Sequence, residues 1–148
     1  MYYNPVWFRI EELVSPDMFE RYRNRQHILW QQFDPRLLWT LDALRTYLKR
    51  SIFVNTWFWQ GGQRRFSGLR LAGDEYYSPT SQHSHGRAAD IVYPGINPEE
   101  LRIDIIRNPQ AERYKYITCV EKDTPTWLHI DVRNFDKDAY GILQVEWT

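Results

Sequence analysis

Ser81-Gln82-His83-Ser84-His85-Gly86-Arg87-Ala88-Ala89-Asp90-Ile91-Val92-Tyr93 is the stretch on which the fold turns. Its first half is polar loop. Gly86 allows a turn out of that loop, and Ala88 and Ala89 are small enough for close packing. Ala88 to Tyr93 then reads as an apolar strand that stops at Pro94-Gly95. Asp90 lies inside that strand, where a carboxylate is costly to bury unless it is paired or bound to a metal. A second stretch answers it. Trp127-Leu128-His129-Ile130-Asp131-Val132-Arg133 alternates as a strand, so His129 and Asp131 point to the same face.

Further strands are expected at Ile52 to Trp59, ending at Gly61-Gly62, and at Tyr114 to Val120. Three helix starts share one chemistry. Ser15-Pro16, Asp34-Pro35 and Asn97-Pro98 each pair an N-cap side chain with proline at the first helical position. After Ser15 one apolar face runs from Met18 to Phe33, and after Asp34 another runs from Leu37 to Leu48. The third helix opens on Glu99-Glu100, well placed against the helix dipole, and stops near Asn108-Pro109. Two helices followed by strands with one helix among them predict an α+β fold: a mostly antiparallel central sheet with N-terminal helices packed on it. The long stretch from Gln60 to Ser84 has few periodic apolar positions, and such a loop in a compact domain is usually functional.

The chain has 148 residues, one domain's worth over 1–148. Hydrophobic residues are 43% and charged residues 26%, which excludes a disordered or fibrous chain. Its 19 basic and 19 acidic residues cancel, which removes any general electrostatic pull toward nucleic acid or an anionic membrane. No run approaches the roughly 18–20 apolar residues of a membrane span. Met1 to Trp7 has neither a basic nor an apolar signal region, so synthesis in the cytoplasm without a signal peptide is expected. One cysteine, Cys119, excludes both a disulfide framework and a thiolate zinc site.

Any metal must therefore be held by imidazole and carboxylate, and His83, Asp90 and His129 supply two imidazoles and one carboxylate. That is the protein ligand set of a catalytic zinc site, with a fourth position left for water. The bare spacing also admits another reading, with His83 and His85 as loop polar residues and Asp90 capping a turn. Trp57, Trp59, Tyr76 and Tyr77 flank the expected cleft, as packing residues or as stacking surfaces.

The pattern Ser81-x-His83-x-x-Gly86-x-Ala88-x-Asp90, followed by Trp127-Leu128-His129-Ile130-Asp131, resembles the signature of the zinc D-Ala-D-Ala metallopeptidases. That superfamily includes bacterial D,D-carboxypeptidases, phage L-alanyl-D-glutamate endolysins, murein endopeptidases and the hedgehog amino-terminal domain. The resemblance spans about 55–132, roughly half the chain. It implies one Zn2+ per chain on His83, Asp90 and His129, in a cleft on the sheet. It implies a substrate-binding arginine, for which Arg70 in Gly68-Leu69-Arg70 is the best match and Arg64 or Arg65 the fallback. Ser81 would bind substrate or the metal-bound ligands, and His85 would stabilise an oxyanion, bind substrate or stay a loop residue.

One position departs from the pattern. Many members carry an acid three residues before the last zinc histidine, and here that residue is Thr126. Asp131 is then the candidate catalytic base, or a carboxylate that orients His129; Glu121 and Asp123 are the alternatives. The resemblance thus implies a zinc peptidase that cleaves peptidoglycan stem peptides, expected to be a monomer. It would be an endolysin or virion-associated wall-degrading enzyme that reaches the cell wall after release. The departure at Thr126 motivates the alternative, a catalytically inactive phage virion component that keeps the fold.

Overall fold

The computed structural model describes residues 1–147. The fold is α+β. Among the described residues there are five α-helices: α1 (Pro16–Arg21), α2 (Gln26–Trp30), α3 (Pro35–Leu48), α4 (Pro98–Arg107) and α5 (Lys137–Tyr140). Four strands, β1 (Ala88–Ile91), β2 (Cys119–Glu121), β3 (Leu128–Asp131) and β4 (Leu143–Val145), form one mixed sheet in the order β1-β3-β2-β4. β3 pairs antiparallel with both β1 and β2, and β4 joins β2 in parallel. No helix among the described residues is long and apolar enough to cross a membrane.

All three proline-led helix starts form as read. Ser15 accepts from the Met18 amide, Asp34 from Arg36 and Asn97 from Glu99. On α3, Leu37, Leu38, Leu41 and Leu44 are buried, and they share one core with Ala89, Ile91, Val120 and Ile130 of the sheet. The first helix is shorter than its apolar face predicts. It breaks at Tyr22–Arg25, where Arg25 leaves the helical region (φ −142°, ψ 46°), and α2 begins afresh. The break lets Met18 and Leu29 both reach the core from separate short helices.

Ile52 to Trp59 is not a strand. Phe53 makes an isolated bridge with Val92. The amides of Asn55 and Thr56 turn instead to the carbonyls of Glu12 and Arg64. Three different partners satisfy the extended backbone, so no ladder can propagate. Of the expected Tyr114–Val120 strand only its end pairs, because Glu112–Tyr114 closes into a 3-10 turn that drops Tyr114 into the core. α5 and β4 at the C-terminal end are too short to announce themselves by periodicity.

Two glycines fix the approach to the cleft. A Cβ at Gly68 would lie 2.3 Å from the Leu13 carbonyl oxygen, so only glycine lets this segment press against the N-terminal turn. Gly86 has φ +64°, and a Cβ there would meet the Gln32 carbonyl oxygen at 2.0 Å. The fully buried Asn55 side chain ties these layers together. It donates to the Val14 carbonyl and accepts from the Ser67 amide, while the Ser67 carbonyl accepts from the Asp90 amide.

Candidate metal centre

Register brings the first two ligand candidates together. Asp90 on β1 and His129 on β3 are direct cross-strand partners, and His129 Nδ1 is 2.9 Å from Asp90 Oδ1. His83 arrives from the 3-10 turn Gln82–His85, whose N-cap is Ser81. Its Nε2 is 3.4 Å from the same Asp90 oxygen, and the two imidazole rings sit edge to face with centroids 5.1 Å apart. One ligand atom from each of His83, Asp90 and His129 falls within 4.8 Å of the others, so the group could hold a metal ion.

The outer atoms of both rings are fixed. His83 Nδ1 donates to the Gly68 carbonyl at 2.9 Å, which turns Nε2 toward Asp90. His129 Nε2 donates to Asp131 Oδ2 at 2.9 Å, which turns Nδ1 toward Asp90. A ligating histidine with its other nitrogen tied to a carbonyl or carboxylate is the usual arrangement around a metal. The 3.4 Å between His83 Nε2 and Asp90 is near the ligand–ligand separation of about 3.3 Å that tetrahedral bonds of 2.0–2.1 Å require. The donor set and the orientation of its atoms therefore fit a divalent ion.

The electrostatics agree. Burial pushes the Asp90 carboxyl up, but His83 and His129 outweigh it and hold the group well below the usual carboxylate range. Burial pushes His129 down, yet Asp131 and Asp90 raise it to about 10. Two carboxylates thus compete for a positive charge at this ring, and a metal ion can replace the Nδ1 proton as that charge.

Asp131 lies behind the site. It is 0% exposed, and both its oxygens are taken by the Arg133 guanidinium, at 2.8 and 2.6 Å. The same-face placement of His129 and Asp131 holds, but the arm that Asp131 extends is toward the far nitrogen of His129. A further carboxylate on the cavity wall is Glu121, at the end of β2. It lines the cavity, and its Oε1 is 3.6 Å from His129 Nδ1. Burial raises the Glu121 pKa above the ordinary glutamate value.

The metal candidates line a cavity of about 940 Å3, near the upper end of the roughly 300–1,000 Å3 of ligand pockets. Arg70 lines it too. Its Nε donates to the Phe66 carbonyl at 2.6 Å and a terminal nitrogen reaches Asp90 Oδ2 at 3.4 Å. Ser81 also lines the cavity, and its hydroxyl accepts from the His83 amide at 3.2 Å. His85 points elsewhere: it is exposed and donates from Nε2 to the Pro79 carbonyl. Tyr76 and the Trp127–Trp147 pair (ring centroids 5.0 Å apart) stand on the cavity wall, whereas Trp57 packs on Phe19 and bonds the Val14 carbonyl. Cys119, the first residue of β2, is fully buried.

The sequence offers Glu121 only as an alternative base and gives Arg133 and Trp147 no role. Glu121 sits in no motif, and β4, which carries the chain to Trp147, pairs with β2 from more than twenty residues away. No protein-family model, no curated protein and no solved structure matches this chain.

Proposed function

We propose that this chain is a zinc-dependent peptidase acting on peptidoglycan stem peptides, with His83, Asp90 and His129 as the zinc ligands. One observation carries the reading: two orientation-fixed imidazoles and a buried carboxylate converge in the lining of a cavity that a further carboxylate, Glu121, also lines, 3.6 Å from His129 Nδ1. The motif spacing supports the substrate class.

A divalent ion held there supplies Lewis-acid polarisation of a carbonyl and a water acidified toward neutrality. The rest falls to the chain's own side chains. Glu121 takes a proton from the attacking water at Oε1 and passes it to the departing amine nitrogen. Asp131 is a positioning residue: held rigid by Arg133, it keeps the His129 ring in place. Arg70 keeps Asp90 in line and presents its remaining N–H groups to a peptide carbonyl or carboxylate. Ser81 supports the turn that presents His83. In this reading the protein meets its substrate at the cell wall, after release from the producing cell or carried in a virion.

Thr126, where an acid is common in the resembling family, supports a second reading: a metal-holding virion component without turnover. The two are separated by incubating the zinc-loaded protein with purified peptidoglycan and counting newly exposed amino groups. The peptidase reading expects release that is lost in Glu121→Gln and His83→Ala. Full zinc occupancy with no new amino groups would sink it.

A further inference from the structure

The connection between β2 and β3 brings two residues to the cavity wall, Glu121 at its start and Trp127 at its end. The β2–β3 ladder stops short of it. Its last pair is Val120 with Ile130, one step before Glu121 would meet His129. On its other edge Glu121 pairs with Val145 of β4. The Glu121 carbonyl accepts from a different element, Nε of Arg102 on α4, at 2.9 Å.

Arg102 is buried, and Leu101 and Ile105 beside it anchor α4 in the core. All three of its guanidinium nitrogens are engaged. One terminal nitrogen donates to Glu99 on the same helix. The other donates to the Thr124 hydroxyl, which in turn donates to the Trp127 carbonyl. One planar fork thus ties both ends of the connection to one helix. A buried cation is a costly source of stability, since an apolar side chain of similar volume often does as well. What the fork adds is fixed geometry. Glu121 has a use for it, because a general base acts only within hydrogen-bond reach of its proton.

Resting on the peptidase reading, we propose that Arg102 is a positioning residue that sets Glu121 for proton transfer. It does not line the cavity and makes no hydrogen bond to His83, Asp90 or His129. It acts through the Glu121 backbone and, by way of Thr124, through Trp127. Without the fork the Glu121 carboxylate loses its fixed place. The two imidazoles keep theirs, held by the Gly68 carbonyl and by Asp131. The signature is a loss of turnover without a loss of metal.

The test measures kcat, KM and zinc affinity of the zinc-loaded full chain on solubilised peptidoglycan fragments. Arg102→Met keeps the bulk of the side chain but not the fork. It should lower kcat roughly 10²-fold, the scale of a misplacement of about 1 Å, with zinc affinity within about twofold of wild type. In a Glu121→Gln background the same substitution should cost nothing further, because losses through one group do not add. Thr124→Val cuts the link to Trp127 and should lower kcat part of the way, whereas Thr124→Ser keeps the hydroxyl and should retain it. A brace of the fold alone would lower Tm and leave the kcat of the folded protein unchanged. Unchanged kcat in Arg102→Met, or a loss that multiplies with that of Glu121→Gln, overturns the positioning role and leaves the peptidase reading standing. Where Arg102→Met does not fold, the threonine pair decides: equal kcat in Thr124→Val and Thr124→Ser overturns the role. No hydrolysis by the wild-type chain overturns both.

Discussion

Asp131 and Glu121 meet the His129 ring at different nitrogens, Asp131 at Nε2 and Glu121 beside Nδ1. Asp131 is fully buried, bonded to His129 Nε2 and clamped by Arg133, whereas Glu121 faces the cavity on the Nδ1 side of the same ring.

Asp131→Asn and Glu121→Gln should therefore fail differently. Losing the oriented carboxylate behind His129 should weaken zinc affinity by roughly 10–100-fold. Glu121→Gln should leave zinc affinity within a few-fold of wild type and lower kcat by about 10²–10⁴. Competition with a chromogenic chelator, run beside an amine-release assay, reads both. Unchanged kcat in Glu121→Gln would remove it from the mechanism.

On the proposed reading, zinc retention should depend on His83, Asp90 and His129. His83→Ala and Asp90→Asn are each expected to lower occupancy from about one ion per chain to near zero, since a lost ligand costs more than a lost supporting carboxylate. Elemental analysis after gel filtration measures it, with circular dichroism to show that the sheet survives.

Gly86→Ala should destabilise the fold by at least about 1–3 kcal/mol, because the residue sits at φ +64° with no room for a Cβ beside Gln32. For a chain of this length that is a fall in Tm on the order of 3–10 °C. It should also loosen the His83 turn, which Gly86 closes. A thermal melt with and without zinc tests both effects.

Asp34→Ala should cost about 1 kcal/mol through the loss of the α3 N-cap. The effect is pH-dependent. Burial opposes ionisation of Asp34, but its bonds with Arg36 outweigh that and hold its pKa below the ordinary 3.8. A depressed folded-state pKa stabilises above the unfolded value and ceases to as pH falls through the folded one. The gap between wild type and Asp34→Ala should thus be constant near neutrality and close below pH 3.8. Urea denaturation at several pH values follows it.

Local chemistry was legible in the sequence wherever a residue acts through its immediate neighbours. The three N-cap and proline pairs placed three helix starts. The alternation around His129 and the apolar run around Asp90 placed the two strands that meet at the candidate site; spacing offered His83, Asp90 and His129 as one of two readings, and the motif resemblance singled them out as a set. The expected strand at Ile52 to Trp59 failed because three distant segments compete for its amides, and periodicity carries no record of partners. The long apolar face after Ser15 failed at Arg25 for a similar reason: two short helices bury Met18 and Leu29 better than one straight helix.

What the sequence determined by itself was the inventory: two imidazoles and a carboxylate at strand and turn positions, with no thiolate to compete. Only the tertiary structure decided which side of the ring each carboxylate occupies. Asp131 is two residues from His129, yet the strand pleat and Arg133 hold it at the far nitrogen. Glu121 is eight residues away, yet the antiparallel β2–β3 pairing carries it to the near one. Hydrogen bonding and charge act over a few ångströms of space, and separation along the chain does not measure that distance.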